Sequence, residues 1–204
     1  MRMYIVCIIC AMTFIACINI WLGSPIFEYS PWFVILAVIV TTIFQIAIDG
    51  LIAFIFARVP DNKFSLKSKF FNISKKQQRF YEKLGIKKWK DYVVDLGKLN
   101  GFSKSKVQNP NSVEYIDKFL IESHRGVWAH RIGCVAGFLG IFLFPLEYAI
   151  VIGIPVAIVN LILSGLPILI LKYNVPKLQA VKKRLIRLDE QQIECKNKYV
   201  ETKI

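Results

Sequence analysis

Three apolar runs, residues 3–22, 31–56 and 132–171, constrain this chain more than any other feature. A helix needs about 20 apolar residues to cross the hydrocarbon of a bilayer, because every backbone N–H and C=O must bond within the helix. The first run supplies one crossing and the second, which is longer, another. The third is about twice the required length. It predicts a hairpin, broken near Pro145-Leu146-Glu147 or at Gly153-Ile154-Pro155. The expected fold is an all-α integral membrane protein with about four transmembrane helices. Composition agrees, since 55% of the residues are hydrophobic and mean hydropathy is positive, which argues against an ordinary soluble domain.

The first run has features of a signal peptide: Arg2 precedes it, and small residues occur at Leu22-Gly23-Ser24. A longer span follows at once, so the two read better as an uncleaved hairpin. Cys7, Cys10, Cys17 and Cys134 lie in or beside apolar spans and Cys195 in a basic tail, which predicts small hydrophobic fillers rather than a disulfide framework.

Charge sets the expected orientation. Residues 57–131 hold 17 Lys/Arg against 7 Asp/Glu, and residues 172–204 hold 9 against 4. The loop 23–32 and the turn inside the third run carry no basic residue. The positive-inside rule then places both termini and residues 57–131 in the cytoplasm of a multi-pass cell-membrane protein. A net charge of +13 also suits nucleic acid, but this charge lies next to lipid and no nucleic-acid motif accompanies it. Membrane lipids with anionic headgroups are the expected partners, and nucleic acid is not. The chain divides into an amino-terminal hairpin (1–57), a basic insertion of partly helical character (58–131), a second hairpin (132–171) and a basic tail (172–204).

The insertion is too long for an ordinary connection and too aromatic for a disordered one. It carries Phe64, Phe70, Phe71, Phe80, Tyr81, Trp89, Tyr92 and Phe102. Residues 74–83 predict a short polar helix with Gly85 just past its end. Ile86-Lys87-Lys88-Trp89-Lys90-Asp91-Tyr92-Val93-Val94-Asp95 mixes basic and aromatic residues, as suits headgroup level. A second helix is expected from Asn111, with Glu114 closing a capping box. Val113, Ile116, Phe119, Leu120 and Val127 form its apolar stripe, and it runs on into the third transmembrane helix.

Residues 122–130 read ESHRGVWAH and contain both histidines of the chain. Glu122, Gly126 and His130 are spaced by four and share a helix face, with Gly126 leaving room, and Arg125 is placed to pair with Glu122. His124 points about 120° away from His130, a poor arrangement for a shared metal, so no metal site is expected. A histidine at the membrane surface can take a proton from an alcohol. The plainer reading is the polar end of a helix entering lipid. Within the spans only Gln45, Asp49 and Asn160 offer polarity, which argues against a transporter.

Arg58-Val59-Pro60-Asp61, Ile86-Lys87-Lys88-Trp89-Lys90-Asp91, Phe119-Leu120-Ile121-Glu122-Ser123-His124-Arg125, and Tyr173-Asn174 with Pro176-Lys177-Leu178 occur in this order. In these motifs the chain resembles the glycosyl-4,4'-diaponeurosporenoate acyltransferase family of staphyloxanthin biosynthesis, over residues 58–131 and 167–184. After Arg125 the acidic residue of the family pattern is missing, a difference that bears on the acceptor more than on acyl transfer. The resemblance implies esterification of a sugar hydroxyl of a glycosylated carotenoid acid, or a related glycolipid, by a fatty acyl chain. It singles out Arg58, Asp61, Lys88, Trp89, Lys90, Tyr173 and Asn174 as substrate-binding candidates and Glu122, Arg125 and His130 as catalytic ones.

Taken with that resemblance, the residues suggest a direct transfer. Acyl-CoA or another acyl donor is the co-substrate, and no cofactor is expected. Lys88 and Lys90 would hold its phosphates, with Arg125 as a fork. His130 would be the base, oriented directly or indirectly by Glu122. Ser123 is adjacent in sequence to Glu122, and neighbours do not face each other on a helix, so no acyl-enzyme is expected. A non-catalytic membrane scaffold or lipid-binding accessory protein explains charge and spans equally well, but not the order of the motifs. In a cysteine-free background, Tyr29→Cys should react with an impermeant thiol reagent from outside the cell. Ser103→Cys should react only after permeabilisation, and its labelling in intact cells would reverse the expected orientation.

Overall fold

A computed structural model describes residues 2–23, 30–64, 68, 71–93 and 109–201, which are helical apart from turns and short extended connections. Phe70, Val94, Asp95 and Phe102 of the aromatic insertion lie outside the described residues. Four helices are long and apolar enough to cross a membrane, so the chain is a multi-pass, all-helical membrane protein.

Helix α1 (Arg2–Ile18) closes in a wide turn, Asn19–Gly23. The Asn19 side-chain amide donates to the Ile15 carbonyl at 2.8 Å and to the Val151 carbonyl at 2.9 Å, tying the end of α1 to the turn that precedes the last helix. Helix α2 (Pro31–Arg58) begins on a proline, whose missing N–H and fixed φ suit a first turn. It stops at Val59, held extended by Pro60. The buried hydroxyls of Thr41 and Thr42 donate to the Ala37 and Val38 carbonyls, both at 2.7 Å, so they need no partner outside the helix. Cys7, Cys10 and Cys17 are free thiols exposed on α1.

In the insertion, α3 (Lys75–Lys83) carries a capping box between Ser74 and Gln77. It ends at Gly85, whose φ of 62° is the left-handed conformation expected past a helix end. The basic-aromatic segment folds as a single turn, α4 (Ile86–Trp89), followed by a tight turn at Lys90–Tyr92. Helix α5 (Val113–Ala136) starts one step later than expected. Ser112 is its cap and accepts the Tyr115 N–H at 3.1 Å. Tyr115 therefore holds the position a capping box would need, and Glu114 closes none.

α5 tightens into a 3-10 stretch (Gly137–Leu143) and the chain turns at Phe144-Pro145. Of the two expected break points the first is used. A one-turn helix α6 (Leu146–Tyr148) and a wide turn (Ala149–Gly153) then lead into α7 (Ile154–Glu201), which carries Pro155 in its first turn.

The apolar segment Val113–Leu143 has 31 residues, about 46 Å of helix against about 30 Å of hydrocarbon. Its charged residues, Glu114 to Arg131, all fall in the first part, so the crossing starts near Ile132 and the earlier turns stand outside. α7 likewise continues outside from Lys172 onward. There the insertion packs on both helices. Phe71 joins Ile116, Phe119, Leu120, Val175 and Leu178 in one core cluster, and Tyr81 and Ile86 join Ile170 and Tyr173 in another. Three of the five stripe residues predicted for α5 supply the first cluster.

α5 and α7 approach closely at Gly126, where an added Cβ would sit 2.9 Å from Leu171 Cδ1. The room expected beside Gly126 is thus filled by Leu171. Gly126→Val should lower the stability of the detergent-solubilised protein by about 1–3 kcal/mol through overpacking. Leu171→Ala in the same chain should recover part of the loss in thermal unfolding.

Candidate active site

Where α2 ends, Pro60 and the turn Asp61–Lys63 bring the chain back against α5. Arg125 of α5 gathers this junction. One guanidinium nitrogen pairs with Glu122, three residues earlier. The other pairs with Asp61 and donates to the Val59 carbonyl at 3.1 Å. The guanidinium also lies over the Phe64 ring, 5.1 Å from its centroid. A planar fork with five donors makes these contacts at once, which a lysine ammonium does not. Asp61 remains exposed, so the cluster opens outward on that side. Three expected site residues, Asp61, Glu122 and Arg125, are therefore joined across 64 residues of sequence. Arg58 turns away: it donates to the Phe54 carbonyl at 3.1 Å and covers the Phe54 ring.

Both terminal nitrogens of Arg125 are engaged within the protein, which leaves no open fork for a phosphate. Glu122 is likewise committed to Arg125. Eight residues separate it from His130, about 12 Å along the helix, so Glu122 does not orient that imidazole directly. His130 itself is half-buried. Ser123 is buried, and its hydroxyl donates to the Phe119 carbonyl at 2.8 Å, which suits no nucleophilic role.

His124, set aside in the sequence, is the more enclosed histidine, at 3% exposure. It stacks on Phe71 at 4.5 Å and meets the edge of Phe64 at 5.7 Å. The Trp128 indole N–H donates to His124 Nε2 at 3.1 Å. Nε2 is thus an acceptor, and the neutral ring carries its proton on Nδ1. Burial lowers the His124 pKa below the ordinary histidine value. The Phe64 backbone carbonyl opposes this, and the charges of Arg131 and Lys172 add to it. Phe64 thus bridges the Arg125 cluster and the histidine cage. The signal was present in the sequence as Trp128 four residues beyond His124, but which phenylalanines cover the ring was not.

A second group forms around Tyr173. Trp89 packs into the cluster of Tyr81, Ile86, Ile170 and Tyr173, and its indole N–H donates to the Leu84 carbonyl at 3.1 Å. Lys177 Nζ stands 3.8 Å from the Tyr173 ring centroid. Lys88 is exposed, and Lys90 and Asn174 are half-buried. Two expected substrate-binding residues, Trp89 and Tyr173, are thus brought together. Sequence reasoning missed Lys172, which is 6% exposed and has no carboxylate partner among the described residues. Burial pushes its pKa down, and Arg131 adds to the effect. Among the described residues no group of three potential ligands could hold a metal.

The cage gives stability a pH dependence. The folded His124 pKa lies below the unfolded value of 6.5, so the unfolded chain binds the proton more tightly. The contribution is fully present above pH 6.5 and is lost as pH falls from there towards the folded pKa. The unfolding temperature of the wild type should therefore fall on acidification through this window. His124→Phe, which keeps an aromatic ring in the cage, should fall less steeply.

The profile of the glycosyl-4,4'-diaponeurosporenoate acyltransferase family matches residues 62–184, more than half of the chain. It spans the insertion, α5, the Pro145 turn and the first part of α7, including the second hairpin that the short motifs left out. Arg58 and Asp61 stand just before it. Neither the curated proteins nor the solved structures contain a match. The chain belongs to the glycosyl-4,4'-diaponeurosporenoate acyltransferase family, membrane enzymes that acylate this glycosylated carotenoid acid.

Proposed function

We propose that this member of the family transfers a fatty acyl group to a sugar hydroxyl at the cytoplasmic membrane surface, where the end of α2 meets the middle of α5. The observation that carries the reading is the Arg125 tie to Asp61 and Glu122, which fixes the start of the insertion against α5. His130 is the general base. It takes the proton of the acceptor hydroxyl as that oxygen bonds to the acyl carbonyl carbon. With acyl-CoA as donor, the carbon–sulfur bond breaks and the thiolate leaves, taking a proton from the imidazolium. Lys88 and Lys90 bring positive charge for the donor phosphates, while Trp89, Tyr173 and Asn174 border the acceptor. The basic surface around them supports the cytoplasmic orientation.

The test compares the two histidines. Lipid extracts from cells carrying the wild type should contain an acceptor species heavier by one acyl chain. His130→Ala should insert normally yet lose transfer by ~10²–10⁴-fold, the range for general acid–base catalysis. Because His124 is packed in an aromatic cage, truncation to alanine would confuse folding with chemistry. His124→Phe is the appropriate control and should retain most activity. Full transfer by His130→Ala would remove this residue from the mechanism.

A further inference from the structure

Deep within the membrane the chain buries polar atoms that its own side chains leave unsatisfied. Gln45 lies midway along the 28-residue α2, about 20 Å from either end. It is 4% exposed, and both its amide nitrogen and its amide oxygen are buried without a hydrogen-bond partner. Asp49, one turn further and on the same face, has a buried Oδ1 in the same condition. Facing them, Asn160 of α7 donates to the Gly133 carbonyl at 3.3 Å and accepts from the Ser164 hydroxyl at 3.4 Å. Gly137 permits this approach, since a Cβ there would lie 2.6 Å from Asn160 Nδ2 and 3.2 Å from Gln45 Nε2.

These groups lie in a groove between α1, α2 and α7. Thr42, Gln45, Asp49 and Asn160 are its polar lining, the Thr42 hydroxyl already donating to the Val38 carbonyl, and Met12, Ile15, Val159 and Leu163 contribute apolar walls. Water is scarce at this depth, so an unpaired amide is costly and a bound partner is correspondingly favoured. A charged partner would bring its own desolvation cost. The ester groups of ordinary phospholipids stay at the interface, far from Gln45.

We infer that the groove is a lipid site for a long-chain amphiphile carrying a neutral hydroxyl group, which enters sideways from the bilayer. Its hydroxyl donates to the Gln45 oxygen and accepts from the Gln45 nitrogen or a neighbouring donor. Its chain lies along Met12, Val159 and Leu163. This site is separate from the Arg125 cluster, and binding there does not depend on acyl transfer.

The test uses the full chain in lipid nanodiscs with a hexadecanol probe bearing an alkyl diazirine. Photolysis should label peptides containing Met12 or Leu163. Unlabelled hexadecanol should compete about ten-fold better than hexadecane at equal mole fraction in the bilayer, as one buried hydrogen bond implies. Gln45→Leu should remove that preference while keeping or raising the unfolding temperature, because it deletes an unpaired buried amide. Met12→Trp, which fills the apolar wall and leaves Gln45 in place, should suppress labelling. If Gln45→Leu does not insert, Gln45→Met makes the same comparison. Equal competition by alcohol and alkane, or an unchanged preference in the Gln45 variant, would overturn the proposal and leave water as the occupant of the polar floor.

Discussion

The architecture depends on a mismatch of length. α5 and α7 begin or end in a hydrocarbon layer about 30 Å thick, yet both continue several turns beyond it. Inside the bilayer, lipid covers their apolar faces at no cost. Outside it, Ile116, Phe119, Leu120, Val175 and Leu178 need another cover. The insertion supplies it with Phe71, while Tyr81 and Ile86 cover Ile170 and Tyr173 beside it. The part of the chain that reads as a long loop is therefore held down by the extensions of two membrane helices. This brings the family motifs, scattered along the sequence, onto one structure.

Within that arrangement Arg125 and His124 solve different electrostatic problems on neighbouring positions of one helix. The Arg125 guanidinium is surrounded by two carboxylates, a carbonyl and an aromatic face. His124 stays neutral, because burial between Phe71 and Phe64 opposes its charging. Phe64 serves both. A change at Phe64 thus disturbs the arginine tie and the histidine cage together, although it would carry no charge and touch no substrate in the proposed reaction.

The membrane half shows the same economy with one exception. Thr41, Thr42 and Asn19 bond to nearby carbonyls, so their polarity is absorbed by helices and turns. Gln45 and Asp49 are not absorbed in this way. Glycines on the facing helix leave room for these side chains, and a groove lined by α1 runs past them. Such an arrangement differs from the polar helix ends at the surface, where water satisfies whatever the protein does not.

Much of this was legible in the sequence, for a clear reason. Spanning length, backbone hydrogen bonding and the distribution of lysine and arginine act locally along the chain. They determine four helices, a break in the third run at Pro145 or Gly153, the short helix over 74–83 and Gly85 just past its end. The pairing of Arg125 with Glu122 is also local, three residues on one helix. What the sequence left open was every relation between distant segments. It did not show that Asp61 completes the Arg125 fork, that Phe64 and Phe71 enclose His124, or that Leu171 fills the space at Gly126. It gave Gln45, Asp49 and Asn160 as scattered polar residues without showing that two helices bring them together. These are consequences of packing: hydropathy says that a face must be covered, and only the three-dimensional fit of side chains decides by what.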